Sequence, residues 1–158
     1  ALVAGILGME TDDPDIPHAL DIAHEKGIKV YWKINKDSKA PHPNTTRITL
    51  PNATKTISAT GISIGGGNIQ VTELNGFAVN LKMNTPTLII VHQDVPGMIA
   101  KVTGILSETN TNIGTMTVTR ESKGESAIMI IEVDNPQVEE TVRRLKHLPN
   151  IDSVNYFD

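Results

Sequence analysis

Residues 92–97, His92-Gln93-Asp94-Val95-Pro96-Gly97, bring together chemistry that can hold a small charged molecule. Asp94 can take an ammonium group, and His92 can donate or accept a hydrogen bond. Gly97 lets the backbone approach a ligand closely, and the helix that starts beyond it offers unpaired amides that favour an anionic group such as a carboxylate. Asn112, at the start of a later strand, carries an amide that both donates and accepts. His92, Asp94, Gly97 and Asn112 together suit a small amino acid. The same residues also fit a plainer role, in which Asp94 caps the helix and His92 ends a strand.

A second group is His42-Pro43-Asn44 with Ser63-Ile64-Gly65-Gly66-Gly67. Three glycines after a strand can form an anion-binding nest, so His42, Asn44, Ser63, Gly65 and Gly66 are candidates for a substrate or anion pocket. A hairpin corner is the alternative. The glycine spacing is neither a Walker loop nor a dinucleotide fingerprint, and no helix pattern follows it. The histidines stand apart from other ligands, which makes a metal site a poor reading, and no Gly-x-Ser-x-Gly elbow marks a serine nucleophile. No catalytic residue is assigned to this chain.

Composition narrows the classes further. The 158 residues are 39% hydrophobic and 20% charged, enough for a packed core in one large domain or two small ones. Aromatics are only 3%, so the core must be aliphatic. A formal net charge of −4 and the lack of a Lys/Arg run argue against nucleic acid or an anionic membrane as partner. Cysteine is absent, so the chain itself offers no thiolate to a disulfide, a metal or an iron–sulfur cluster. No apolar run approaches the roughly 18–20 residues of a membrane span. A cytoplasmic location fits. Ala1 opens what reads as a helix already under way, so part of the natural chain is expected in front of it.

The elements that must position these residues are legible from periodicity. Leu2, Val3, Ile6 and Leu7 recur at helical spacing. Asp12-Asp13-Pro14 signals a second helix, which buries Ile16, Ala19, Leu20 and Ala23 and stops at Gly27. His18 and His24 read as solvated helix residues. Residues 28–34 alternate, with Ile28, Val30, Trp32 and Ile34 on one side, and predict a half-buried strand. A loop over 35–44 follows, then strands over 45–50, 55–64, 68–74 and 77–83. Pro51-Asn52 marks a turn, and Asn75-Gly76 a two-residue hairpin.

The pattern changes at Asn84-Thr85-Pro86, the expected boundary between domains 1–84 and 85–158. Strand 87–92, helix 97–108, strand 112–119, a turn at Ser122-Lys123-Gly124, strand 126–133, a helix opened by Pro136 and running to about His147, and strand 151–157 give βαββαβ. The first helix is expected to bury Met98, Ile99, Val102, Ile105 and Leu106, the second Val138, Val142, Leu145 and Leu148. Two interlocked βαβ units give a ferredoxin-like sheet with both helices on one face. The fold class is therefore α+β: N-terminal helices with a mostly antiparallel sheet, then a ferredoxin-like domain. Strand 127–131 is apolar on both faces, so the face without helices is expected to self-associate or dock, unless the first domain covers it.

The strand, the turn His92-Gln93-Asp94-Val95-Pro96-Gly97, the helix and Asn112-Ile113 resemble an ACT domain, a small amino-acid-sensing module. They are similar to the serine-sensing ACT domain of 3-phosphoglycerate dehydrogenases, where the equivalents of His92, Asp94 and Asn112 contact the effector. Here aspartate stands where that enzyme has asparagine, which leaves the ligand open. Across its whole length the chain resembles the β subunits of two-subunit, iron–sulfur-dependent L-serine dehydratases. The marks are Ala1-Leu2-Val3-Ala4-Gly5-Ile6-Leu7-Gly8, His42-Pro43-Asn44-Thr45, Ser63-Ile64-Gly65-Gly66-Gly67, Pro86-Thr87-Leu88-Ile89-Ile90-Val91-His92-Gln93-Asp94, and the strand around Met116.

The resemblance implies conversion of L-serine to pyruvate and ammonia, with a 4Fe–4S cluster held by the cysteines of a partner α subunit. Residues 1–84 would form an allosteric-substrate-binding-like domain near the active site. The ACT half would regulate, with L-serine or a similar amino acid as effector, or form homodimers. The regulatory region of a 3-phosphoglycerate dehydrogenase-like enzyme and a plain ACT dimerisation module are the alternatives.

Overall fold

Two antiparallel four-stranded sheets and four short helices make up the structure, a computed structural model that describes residues 1–35, 40, 42–51, 56–134 and 138–158. The chain divides into two compact units, Ala1–Lys39 and Ala40–Asp158.

In the first unit, α1 (Leu2–Ile6) and α2 (Ala19–Glu25) pack through Val3, Ala4, Ala19 and Ala23. Each helix ends in a Schellman motif. Gly8 and Gly27 take φ of 76° and 74°, and the amides of Met9 and Ile28 reach back to Ala4 and Ala23. Asp12-Asp13-Pro14 does not cap α2. Asp13 instead accepts the Asp15 amide, and a 3-10 turn over Ile16–His18 leads into the helix. The strand expected over 28–34 is absent. Tyr31 and Ile34 are 85% and 84% exposed. The described part of this unit holds no second strand, and an alternating segment without a backbone partner has nothing to satisfy its amides but water.

The second unit begins with a meander, β1 (Thr45–Pro51), β2 (Thr56–Gly65), β3 (Asn68–Leu74) and β4 (Phe77–Leu81), in that spatial order. Asn75 and Gly76 take φ of 50° and 90°, the two-residue hairpin that their types require. Asn52, Lys55 and Pro136 lie outside the described residues.

The ferredoxin-like part follows: β5 (Thr87–Gln93), α3 (Met98–Glu108), β6 (Ile113–Arg120), β7 (Ser126–Val133), α4 (Glu139–Lys146) and β8 (Ile151–Phe157), with spatial order β6-β7-β5-β8. Strand periodicity sorts its residues. Leu88, Ile90, Met129 and Ile131 meet Met98, Val102, Leu106 and Leu145 of the helices. Ile99, expected in that core, is 51% exposed.

Ile89, Ile128 and Ile130 point to the opposite face, where Phe77 and Leu81 of β4 pack on them with Val71 and Leu74 of β3 alongside. The apolar face expected to call for self-association is thus covered from within this unit. The edges β6 and β8 remain the ends of the sheet.

Candidate functional site

The end of β5 is built to stop sharply. Gln93 still pairs with Ser126, and Val95 then turns back so that its N–H donates to the Gln93 carbonyl. Pro96 and Gly97 complete the turn. Gly97 sits at φ 86°, where any other residue is strained, immediately before α3. No side chain caps α3; the Met98 N–H reaches the Val95 carbonyl at 3.4 Å, and the Ile99 and Ala100 amides have no acceptor within the helix. Asp94 is therefore not the helix cap.

Asp94 is tied instead to the β6–β7 hairpin. Its N–H donates to the Glu125 carbonyl at 2.7 Å, and its Oδ2 accepts the Gly124 N–H at 3.0 Å and an Arg120 N–H at 3.3 Å. The Gly124 hydrogen bond, then Arg120, hold the carboxyl below its ordinary range against the opposing effect of partial burial.

His92 is only 2% exposed. Its Nδ1 lies 2.7 Å from the Gln93 carbonyl oxygen, and since a carbonyl only accepts, Nδ1 carries the proton of that bond. Its Nε2 is buried and has no hydrogen-bond partner among the described residues. An orphan of this kind is costly unless something else supplies the bond. His92, Asp94, Gly97, Ile99, Arg120 and Lys123 line one surface cavity of about 390 Å³, with Val118 on its wall. That space is ample for a small amino acid.

Asn112 is not in this cavity. Its amide donates to Asp134, and it lines a separate depression of about 330 Å³ at the other end of α3, with Thr103, Ser107 and Asn110. One copy of the chain thus brings together His92, Asp94 and Gly97 and leaves Asn112 apart.

The glycine corner is a tight hairpin. Gly65 pairs with Asn68, and Gly66 and Gly67 form the two-residue turn at φ 61° and 79°. The Asn68 amide donates to the carbonyls of Gly65 and Gly66, so acceptors rather than converging N–H groups meet at its centre. Asn44 and Ser63 are brought together: the Ser63 N–H donates to the Asn44 carbonyl at 3.1 Å. His42 Nδ1 accepts the Asn44 N–H at 3.1 Å. His42, Asn44 and Ser63 are therefore neighbours at one end of the first sheet.

Arg120 and Lys123 were not singled out by their types or spacing. The signal was in the topology: once β7 pairs antiparallel with β5, the residue after Gln93 must meet the hairpin that precedes Ser126.

Residues 87–150 match the family model described as ACT domain. The chain is 41% identical over 151 residues, 96% of its own length and 68% of the relative's, to the Bacillus subtilis protein described as "Probable L-serine dehydratase, beta chain". It belongs to the L-serine dehydratase β-chain family. A second family member, the L-serine dehydratase β chain of Peptoniphilus asaccharolyticus, is 28% identical over 88% of this chain and 63% of that protein. The D-3-phosphoglycerate dehydrogenase of Bacillus subtilis is 34% identical across all of this chain but only 30% of the enzyme. The chain thus spans about two thirds of the β chains it matches and under a third of the dehydrogenase. As a β-chain family member it has its ferredoxin-like part covered by the ACT model from β5 through α4, residues 87–150, with β8 (Ile151–Phe157) following directly. No helix among the described residues is long and apolar enough to cross a membrane.

Proposed function

We propose that this chain works as the β chain of an L-serine dehydratase, alongside a separate α subunit, in the conversion of L-serine to pyruvate and ammonia. The similarity to the Bacillus subtilis β chain over 96% of the chain carries this reading. Its own residues do not fit a 4Fe–4S cluster, which is held by cysteine thiolates, because the sequence has none. Among the described residues no group of three His, Asp or Glu side chains could hold a metal either. In this reading the cluster and the reacting atoms lie on the α subunit.

This chain's part is regulatory. The cavity at His92, Asp94 and Gly97 takes a small amino acid, L-serine or a near relative. Asp94 faces its ammonium, and the amides at the start of α3 face its carboxylate. The edge strands β6 and β8 are where a second copy would extend the sheet, and a homodimer in the cytoplasm is the expected context. His42, Asn44 and Ser63 with the glycine corner are the part of the first sheet proposed to border the α subunit's pocket.

The test is reconstitution. The full-length protein mixed with its cysteine-bearing partner should co-elute with it and yield pyruvate that depends on both chains and on L-serine. Full activity from the partner alone, with no association, would refute the reading.

A second reading is the regulatory region of a 3-phosphoglycerate dehydrogenase, favoured by the match to that enzyme over the whole chain. It requires a nucleotide-binding domain on the same polypeptide. The mass of the natural gene product decides it.

A further inference from the structure

Arg120 enters the cavity from the hairpin opposite the ligand turn, and neither its position nor its role follows from the turn itself. The Arg120 side chain is 59% exposed, and its guanidinium touches Asp94 through one nitrogen at 3.3 Å, a long contact. The firm bond to Asp94 is the shorter one from the Gly124 backbone. Asp94 is thus held in place without Arg120, and Arg120 keeps most of its five N–H donors for another acceptor.

The walls around it define that acceptor. Gly97 and Ile99 at the uncapped start of α3 line the same cavity as Arg120, and Lys123 adds a second positive charge on the same hairpin. Asp94 supplies the cavity's negative charge, so the lining carries more positive than negative charge. His92 Nδ1–H donates to the Gln93 carbonyl and its Nε2 is shut off from solvent, so His92 brings no open donor to the cavity. The donors left for a ligand's carboxylate are Arg120, Lys123 and the helix start.

We propose that Arg120 is the carboxylate-recognising residue of this cavity and selects a free α-amino acid over its uncharged-carboxyl analogues. Its planar fork can bind a carboxylate through two N–H groups while Asp94 turns toward the ligand's ammonium. The proposal rests on the reading of this cavity as an amino-acid site.

The experiment titrates the intact protein with L-serine and with L-serinamide, which keeps the ammonium and hydroxyl but has no carboxylate. Calorimetry gives the affinities, and backbone amide NMR locates the binding. The wild type is expected to favour L-serine at least tenfold, with shifts at Gly97, Ile99 and Ala100. In Arg120→Met, an exposed position where folding is not at stake, that preference should fall to about twofold or less, and Arg120→Lys should restore part of it.

If Arg120→Met keeps the wild-type ratio while L-serine still shifts those three amides, the role of Arg120 is refuted and the site stands. If wild type takes up neither compound, or shifts no amide of the turn, the site reading fails and the role of Arg120 falls with it.

Discussion

Asp94 and Gly124 are thirty positions apart, yet the Gly124 N–H donates to Asp94 Oδ2 at 3.0 Å, and this bond fixes the ligand turn to the β6–β7 hairpin. With the Asp94 N–H on the Glu125 carbonyl, it makes the turn and the hairpin one wall. That wall brings a carboxylate from the turn after β5 and a guanidinium from the end of β6 to the same cavity.

The bond sets a pH dependence. Asp94 in the folded protein is held below the ordinary aspartate pKa, first by Gly124 and then by Arg120. A carboxyl depressed on folding stabilises the native state above its unfolded pKa, about 3.9, and the contribution is lost as pH falls through that value toward the folded one. Asp94→Asn should therefore be less stable than wild type at pH 7, with the gap closing below about pH 4. Urea midpoints at pH 7, 5 and 3.5 measure it. A gap that stays constant over this range would show that the charge on Asp94 contributes nothing.

Gly97 and Gly104 should respond in opposite ways to the same substitution. A Cβ at either position meets nothing within 4 Å, so crowding is not the issue. Gly97 lies at φ 86°, and Gly97→Ala should cost about 1–2 kcal/mol and weaken ligand binding by moving the turn. Gly104 is inside α3, where Gly104→Ala should add about 0.5–1 kcal/mol. Chemical denaturation of the two variants side by side checks both signs.

Phe77 is the main cover of the sheet face opposite the helices. Phe77→Ala should lower stability by about 3 kcal/mol or more. It should also uncover Ile89, Ile128 and Ile130, so the variant is expected to bind a hydrophobic dye and to associate at micromolar concentration. Sedimentation of wild type and variant at equal concentration separates this association from any dimer the wild type forms through its strand edges.

Thr141 anchors α4 to the end of α3. The residue is 1% exposed, and its hydroxyl lies 3.0 Å from that of Thr111 and 2.8 Å from that of Thr109. Thr141→Val keeps the shape and removes both bonds, while Thr109 and Thr111 still bond each other and Thr109 the Ile105 carbonyl, so the cost is about 0.5–1.5 kcal/mol. Thermal unfolding should show the loss with no change in the far-ultraviolet spectrum.

The ferredoxin-like part was readable because its helices and its outer strands bury one face at a period that matches their structure, and its central strands are short apolar runs bounded by turns. Ser126–Val133 and Ile151–Phe157 fall at their expected bounds. The segment 28–34 shows the limit of this logic. Its alternation is as clean as that of β8, but a strand exists only where another backbone lies beside it, and pattern alone does not say whether one does. The covering of Ile89 by Phe77 and the meeting of Asp94 with Arg120 have the same cause. Both are contacts between segments distant in the chain, set by strand order and register rather than by local residue types. Gly97 was legible because a turn into a helix needs a positive φ there. The orphan Nε2 of His92 was not, since it follows from what fails to surround the ring.

The cavity beside His92 and Asp94 is where the amino acid is expected to bind, and a crystal structure of the intact protein grown with L-serine tests this most directly. The ligand should lie in that cavity with its ammonium on Asp94 and its carboxylate on Arg120. A fully ordered, empty cavity at saturating L-serine, or the ligand seated elsewhere, for instance in the depression beside Asn112, would contradict it.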